Sequence, residues 1–506
     1  MNGSNKVFIF SVWIFISALI FLKIYSALTL NLFEDEALYW MWSLNPDPSY
    51  SYITLIAIKL SSLIFSSDTE AVVRFPALFS NVILIFLLIK ISKELGYGNS
   101  ETLYLILIFF SVPFVTIYTS FISPDTFLLV FTTAVYYFWL KLITSNNLLY
   151  YFYSGLSMGL AVMSKYQGAI LFLVFILILI INRKKNHYNI RGLIILSVTF
   201  ALTISPVIIW NFTHEPVWLE YYLFTNADKT SGGIFELIPA FFLSQLSVLL
   251  PLIFVLFIYA VFLLIKKSSA DSRFGLLKLS CFITFAFLFI SSLSGKIKGN
   301  WFFVIYIPLI LMIPYFYNNK ILKTLAVMAA LFNLFILTCI QLPVNNLKLI
   351  SGNSVISFLN SGFTDYWPGS LLEDNSDRNW IERISKMNSW KSNIGRIENE
   401  IKKSNVNYDF IASDDFNLAP LIQYYSESRE KIYLLNDERF RYINSAEFNP
   451  DLKNKNFIVI SYNDDWKKNV SPLFDSVNII TSLNLYYGDT KFNSVTLLSA
   501  NNFKQD

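Results

Sequence analysis

The chain has 506 residues, of which 55% are hydrophobic, 17% aromatic and only 15% charged, with a formal net charge of +4. Because about 25% charged residues is usual for a soluble domain, this composition argues against an ordinary soluble protein and indicates one embedded in a bilayer. The basic residues stand in short clusters beside hydrophobic runs and form no basic stripe, which argues against a nucleic-acid partner.

Apolar runs of a length suited to a hydrocarbon core of about 30 Å recur along the first two thirds of the chain. They predict a polytopic α-helical membrane protein with about eleven transmembrane helices. The first run lacks a small-residue cleavage site and is expected to be a retained helix. The runs lie near residues 7–28, 74–92, 101–121, 125–143, 150–164, 167–182, 191–210, 237–265, 276–294, 301–317 and 321–342.

The basic residues predict the orientation of these spans. With the amino terminus in the cytoplasm, alternate connections carry the basic clusters, which is the positive-inside pattern. An odd number of spans then leaves the carboxyl terminus outside. The cytoplasmic clusters are Lys90 with Lys93, Lys141, Arg183-Lys184-Lys185 with Arg191, Lys266-Lys267 with Arg273 and Lys278, and Lys320 with Lys323.

A second set of basic residues falls on the outer side, where orientation alone does not explain it. These residues are Arg74, Lys165, Lys229, Lys296 and Lys298. Each could snorkel from a helix end to the lipid headgroups. Clustered on a face that also carries acidic residues, they are also suited to bind an anion such as the phosphate of a lipid.

The first outer connection, residues 31–73, holds Glu34-Asp35-Glu36 directly after the first span. An aromatic stretch from Ala37 to Trp42 follows and is suited to an interfacial helix, and Asn45-Pro46-Asp47-Pro48 predicts a turn before a second one. The acids can be read as a helix cap and solvated face. Alternatively, a carboxylate partly desolvated by aromatic side chains can serve as a general base.

Asp125 lies in Ser123-Pro124-Asp125-Thr126, between the third and fourth spans. A proline early in a helix with a Ser or Asp cap is ordinary helix punctuation. The orientation predicted above places Asp125 at the same side and depth as the acidic pair, which favours a second functional acid.

Beyond about Leu342, Asn, Ser, Asp and Lys become frequent and the apolar runs shorten. The sequence therefore predicts a membrane domain over 1–342 and a soluble extracytoplasmic α/β domain over 343–506 that packs over the outer loop. Predicted strands lie at 410–412, 457–461, 477–480 and 495–498, with helix near 380–403.

Several short motifs along the chain resemble, in their order, those of the GT-C glycosyltransferases that use polyprenyl-phosphate sugars. The similarity is greatest to the lipid A aminoarabinose transferases and weaker to the protein O-mannosyltransferases, and it covers residues 1 to about 320. The motifs are Phe33-Glu34-Asp35-Glu36-Ala37-Leu38-Tyr39-Trp40, Val73-Arg74-Phe75-Pro76-Ala77, Ser123-Pro124-Asp125, Gly155-Leu156-Ser157-Met158-Gly159-Leu160, Met163-Ser164-Lys165-Tyr166, Pro206-Val207-Ile208-Ile209-Trp210-Asn211 and Lys298-Gly299-Asn300-Trp301.

This resemblance implies inverting transfer of a sugar from a polyprenyl-phosphate donor to a lipid, glycan or protein acceptor. The reaction would take place on the outer face of a membrane, expected to be a bacterial inner membrane with the site toward the periplasm. By the same resemblance Asp35 is the catalytic base, with Glu36 beside it and Asp125 as the second acid. The implied contacts of the donor phosphate are Arg74, Lys165 and Lys298, and the implied substrate contacts are Tyr39, Tyr166, Asn300 and Trp301.

The chain departs from these relatives in the second half of the first outer loop. They carry a histidine or lysine followed by prolines, whereas this chain reads Ser49-Tyr50-Ser51-Tyr52-Ile53-Thr54-Leu55. No metal-ligand spacing supports a metal here or at His187 and His214. No cofactor is implied with certainty.

Two other classes of protein compete with the enzyme. A non-catalytic relative of the same fold, such as a flippase or lipid-binding protein, would keep the motifs without the chemistry. A secondary transporter would show internal repeats and ionisable residues near mid-membrane. The charged residues of this chain lie mainly at span ends, which disfavours transport.

Overall fold

Long helices make up most of the amino-terminal two thirds of the chain in the computed structural model. The structure describes residues 3–145, 147–181, 189–214, 234–266, 271–293, 303–341, 388–435, 452–462, 466–487 and 490–504. The helices of this part are α1 (Gly3–Thr29), α2 (Glu34–Leu44), α3 (Tyr52–Phe65), α4 (Glu70–Glu94), α5 (Asn99–Ser111), α6 (Pro113–Tyr118), α7 (Pro124–Thr144), α8 (Leu148–Ser164), α9 (Ala169–Ile181), α10 (Ile190–Thr213), α11 (Ile234–Lys266), α12 (Ser272–Leu293), α13 (Phe303–Met312) and α14 (Lys320–Gln341).

Seven helices in the described ranges are long and apolar enough to cross a membrane. They are α1, α4, α7, α10, the Val248–Lys266 part of α11, α12 and most of α14. Shorter apolar helices at Tyr52–Phe65, Leu148–Ser164, Tyr166–Ile181 and Phe303–Phe316 pack among or beside them. The predicted class, a polytopic helical membrane protein, is confirmed. The count of eleven crossings and their direction stay predictions.

The predicted span at 101–121 is not one continuous helix, because α5 ends at Ser111 and α6 begins at Pro113. Proline lacks the N–H that would continue the helix and restricts the residue before it. The carbonyl of Phe110 at this break accepts hydrogen bonds from Thr116 Oγ1 at 2.8 Å and Asn333 Nδ2 at 2.9 Å. Polar side chains thus satisfy the backbone where the helix is interrupted.

Close packing of α8 against α10 accounts for one of the sequence motifs. A Cβ atom on Gly155 would lie 2.3 Å from the Leu196 carbonyl oxygen, and one on Gly159 would lie 2.5 Å from Thr203 Cβ. Small residues spaced four apart allow two helix backbones to approach in this way. The glycines of this motif therefore have a packing role.

The carboxyl-terminal domain is built on a five-stranded sheet of order β2-β1-β3-β5-β4. β1 lies parallel to β2 and β3, while β5 pairs antiparallel with β3 and β4. Helices α15 (Trp390–Lys403) and α16 (Leu418–Tyr425) are its main helices in the described ranges. The strands are β1 (Phe410–Ser413), β2 (Ile432–Leu434), β3 (Phe457–Tyr462), β4 (Phe474–Tyr487) and β5 (Thr490–Phe503).

All four predicted strands are present, and the sheet adds β2, which was not predicted. The predicted boundary between 342 and 343 lies outside the described residues, as does the start of the predicted helical region near 380. The parallel strands β1 and β2 are joined through α16, so sheet and helix occur together in this region.

The carboxyl-terminal domain is docked on the first outer loop by apolar and aromatic contacts. Helix α16 packs against α2, and the ring of Tyr424 lies 4.8 Å from that of Trp40. The Arg429 guanidinium lies 5.5 Å above the Trp40 ring and 3.6 Å from Asp68. One hydrophobic cluster runs without a break from Leu38 and Trp40 into α16 and β3. Loop and domain therefore share a core.

Candidate active site

The acidic pair lies on the first turn of α2. The turn begins at Glu34 after an extended Phe33, and Glu36 Oε2 accepts a hydrogen bond from the Phe33 N–H at 3.1 Å. Acidic side chains stabilise the positive end of a helix. Asp35 is exposed, whereas Glu36 is 1% exposed. Adjacent acids thus occupy opposite environments.

Glu36 forms a buried ion pair with Arg74 of α4. Arg74 Nη2 lies 2.6 Å from Glu36 Oε2, and Arg74 Nε lies 2.9 Å from Glu36 Oε1. Glu36 Oε1 also accepts the Ile122 N–H at 3.0 Å. The carboxylate therefore ties together α2, α4 and the segment that leads to Asp125.

Arg74 uses its remaining hydrogen-bond donors on the end of the first span. Nη1 donates to the carbonyls of Ser26 and Leu30 at 3.2 and 2.7 Å, and Nη2 donates to the carbonyl of Asn31 at 2.6 Å. A guanidinium has five N–H groups, and these contacts with Glu36 use all of them. Arg74 is 0% exposed, and its contact with a donor phosphate stays a prediction. The geometry assigns Arg74 to holding Glu36 and the end of α1.

Asp125 and Lys165 form a second buried ion pair. The Lys165 Nζ donates to both carboxylate oxygens of Asp125, at 2.9 and 2.8 Å. Asp125 lies in the first turn of α7, and Lys165 directly follows the end of α8. Ile122, which binds Glu36, precedes Asp125 by only a few residues. The structure thus forms two buried ion pairs, Glu36 with Arg74 and Asp125 with Lys165, although no single sequence spacing indicates these pairings.

The residues predicted to contact substrate lie in different surroundings. Tyr166 follows Lys165 directly, and its hydroxyl donates to the Ser49 carbonyl of the first outer loop. Tyr39 is buried, with its ring 5.9 Å from that of Trp42. This places Tyr39 in the core of the loop. Lys298, Asn300 and Trp301 lie outside the described residues.

Lys23 is a buried cation that the sequence analysis overlooked. It is 2% exposed in the last third of α1 and donates to Asn81 Oδ1 at 2.7 Å and to Thr119 Oγ1 at 2.5 Å. Its ammonium lies 5.3 Å from the centre of the Phe110 ring. Charged residues inside spans are costly and mark functional or structural centres. The available signal was a lone lysine in an otherwise apolar run.

No group of three or more His, Cys, Asp or Glu side chains is placed to hold a metal ion within the ranges that the structure describes. The one histidine in these ranges, His214, stacks on Trp210 with ring centres 3.7 Å apart.

Residues 49–210 match the family model described as dolichyl-phosphate-mannose-protein mannosyltransferase. The resemblance predicted from the motif order is confirmed by this match and by the relatives that follow.

The chain is 25% identical over 288 residues to the lipid A galacturonosyltransferase RgtD of Rhizobium johnstonii. The match covers 55% of this chain and 59% of that relative. The fold of this chain is similar to that of ArnT from Cupriavidus metallidurans, in the apo state and bound to undecaprenyl phosphate, with a TM-score of 0.59 in both cases. Sequence identity to these structures is 12% and 13%, and the likeness covers 96% of this chain and 97% of each ArnT chain.

Proposed function

We propose that the protein is an inverting glycosyltransferase that moves a sugar from a polyprenyl-phosphate donor to a glycolipid of the lipid A type. The observation that carries the proposal is the contrast between Asp35 and Glu36. Glu36 is committed to Arg74, whereas Asp35 is exposed on the same helical turn. A turn that is held by a buried ion pair and carries an exposed carboxylate is suited to a general base.

The reaction is a single displacement at the anomeric carbon. The acceptor hydroxyl attacks this carbon on the face opposite the phosphate, so the new C–O bond forms as the bond to the phosphate oxygen breaks. Asp35 takes the proton of the hydroxyl. The leaving group is the polyprenyl monophosphate, which carries one more negative charge than it had in the donor. Negative charge therefore moves from the Asp35 carboxylate, which becomes neutral, to the leaving phosphate.

Lys165 is the described cation best suited to the phosphate. The Lys165 ammonium donates two hydrogen bonds to Asp125, and an ammonium has three N–H groups. We assign the third to a phosphate oxygen, where a fixed positive charge stabilises the transition state more than the ground state. Asp125 then acts by holding Lys165 in place. Lys298 stays a second proposed phosphate contact.

The proposed topology follows the basic residues. Eleven crossings with the amino terminus in the cytoplasm put Asp35, Asp125 and Lys165 at the outer surface of a bacterial inner membrane. The relative named for lipid A and the ArnT complex with undecaprenyl phosphate support the choice of acceptor and donor. A cleft between the spans would hold the prenyl chain.

A transfer assay with purified protein in proteoliposomes tests the proposal. The donors are undecaprenyl phosphates that carry galacturonic acid, aminoarabinose or mannose, and the acceptor is lipid A. With the sugar that the wild type transfers, Asp35→Asn should lower kcat by about 100-fold or more, the scale of general base catalysis. The product is measured by mass spectrometry of the lipid fraction.

The matched control is Glu34→Gln, which changes a neighbouring acid on the same turn and should retain most of the activity. Wild-type activity in Asp35→Asn would rule out the assigned base. A wild type that transfers none of these sugars and leaves cellular lipid A unchanged would contradict the proposed reaction and favour a non-catalytic relative.

A further inference from the structure

The end of α16 contacts the backbone just before the acidic helix. The Leu32 N–H donates to Tyr425 Oη at 2.6 Å, and the Tyr425 hydroxyl lies 3.3 Å from Glu70 Oε1 on the first turn of α4. Burial raises the pKa of the Tyr425 hydroxyl well above its ordinary value. The hydroxyl can therefore accept from Leu32 and donate to Glu70 at the same time.

Leu32 belongs to a segment whose backbone groups are bound one after another. The carbonyls of Leu30 and Asn31 accept from Arg74, and the Phe33 N–H donates to Glu36. Tyr425 adds the Leu32 N–H to this series. Tyr425 belongs to the carboxyl-terminal domain, so its hydrogen bond links that domain to the segment before α2. The direction in which α2 starts, and with it the position of Asp35, depends on these contacts.

The helix that carries Tyr425 is itself well anchored. The Tyr424 hydroxyl donates to the Asp68 carbonyl at 2.5 Å, next to the start of α4. Gln423 Oε1 accepts from the Ile432 N–H of β2 at 3.3 Å. A chain of contacts thus leads from the sheet through α16 to Leu32.

We propose that Tyr425 is a positioning residue for the transfer reaction and that the carboxyl-terminal domain completes the active site through its hydroxyl. This inference rests on the proposed function for its kinetic consequence. The domain then does more than cover the loop, because it sets the orientation of the turn that presents Asp35.

The test compares Tyr425→Phe with Tyr424→Phe in the full-length protein. Each variant loses one buried hydroxyl and keeps its ring, so packing in the docked interface is retained. Hydrogen exchange of the amides at 31–37 should accelerate in Tyr425→Phe and change much less in Tyr424→Phe, because the Tyr424 hydroxyl contacts Asp68 and not this segment. In the transfer assay Tyr425→Phe should lower kcat by about tenfold, which corresponds to one lost hydrogen bond. Its donor KM should not change, and the acid limb of its pH–rate profile should shift.

The outcomes separate the inference from the proposed function. Unchanged exchange and kcat in Tyr425→Phe would overturn the inference, and so would equal losses in both variants, which would indicate general loosening of the interface. A wild type without transfer activity would count against the proposed function, and the exchange measurement would then decide the role of Tyr425 alone.

Discussion

At the scale of single residues, neighbours in the chain can have unrelated roles because a helix turns by about 100° per residue. Asp35 faces outward, while Glu36 faces α4 and the segment at Ile122. The carboxylate of Glu36 accepts hydrogen bonds from Arg74, Ile122 and Phe33. Its charge is needed to balance a guanidinium that has no contact with solvent.

Glu36→Gln should therefore lower the stability of the folded protein. Breaking one half of a buried ion pair leaves an uncompensated charge and costs about 3–5 kcal/mol. The unfolding temperature in detergent should drop sharply. Glu94→Gln is the control, because its partner Lys141 is partly exposed and such pairs contribute about 0–1 kcal/mol. Equal stability of Glu36→Gln and the wild type would refute a structural role for the pair.

Asp414 gives the carboxyl-terminal domain a dependence on pH. It follows β1 and accepts hydrogen bonds from Ser461 Oγ at 2.5 Å and the Tyr462 N–H at 3.3 Å. Burial raises the pKa of its carboxyl to about 6 despite these bonds. The folded state thus binds a proton that the unfolded state releases near pH 4.

Domain stability should fall as pH rises from about 4 to 6 and stay lower above that, because the charged form is disfavoured in the folded state. The contribution is at most about 3 kcal/mol for a shift of this size. Asp414→Asn should flatten the profile, measured by hydrogen exchange of β1 and β3 between pH 4 and 7. Asp475→Asn on the exposed edge strand serves as control. A profile that is unchanged in Asp414→Asn would show that another group is responsible.

Residue types at the site could be predicted from the sequence more readily than their partners. Asp35, Asp125 and Lys165 stand at predicted span ends on one face, and the family resemblance assigns them to the site. The pairing of Arg74 with Glu36 joins residues 38 positions apart, and one sequence holds no signal for such a contact. Arg74 was therefore predicted to bind phosphate, and Lys23 was overlooked inside a run that otherwise indicates a plain span.

At the scale of elements, proline and glycine residues determine where helices break and how closely they pack, and an average of hydropathy over a segment does not show either feature. Pro113 divides a predicted span into α5 and α6, and Leu250 at φ 62° interrupts α11 before Pro251. Hydropathy predicted apolar character at both places correctly but could not show the breaks. The glycine motif was used only as a sign of resemblance, although its spacing also indicates close helix packing.

Gly155→Ala should disrupt the contact between α8 and α10. The added Cβ would meet the Leu196 carbonyl at 2.3 Å, and backbone cannot move aside as a flexible side chain can. Overpacking of this kind costs about 1–3 kcal/mol. Gly275→Ala in α12 is the control, since its Cβ would meet nothing within 4 Å. The measurement is thermal unfolding in detergent, and equal unfolding temperatures in the two variants would contradict the packing role.

At the scale of the whole molecule, the outer loop and the carboxyl-terminal domain share one hydrophobic core. Their shared hydrophobic cluster joins α2, α3, α15, α16 and the central strands. Sequence composition predicted a separate soluble domain from residue 343, because polar residues become frequent there. It could not show that the core of this domain continues into the membrane-proximal loop, since that depends on contacts between distant segments.

Trp40→Ala tests this coupling. Trp40 is 2% exposed beneath Tyr424 and Arg429, and removing a buried tryptophan costs about 3–5 kcal/mol. Because the cavity would open at the junction, hydrogen exchange should accelerate both in α2 and in α16. Trp466→Ala, which alters the same domain away from the loop, should affect only the sheet. Faster exchange confined to α2 in Trp40→Ala would mean that the two parts unfold independently.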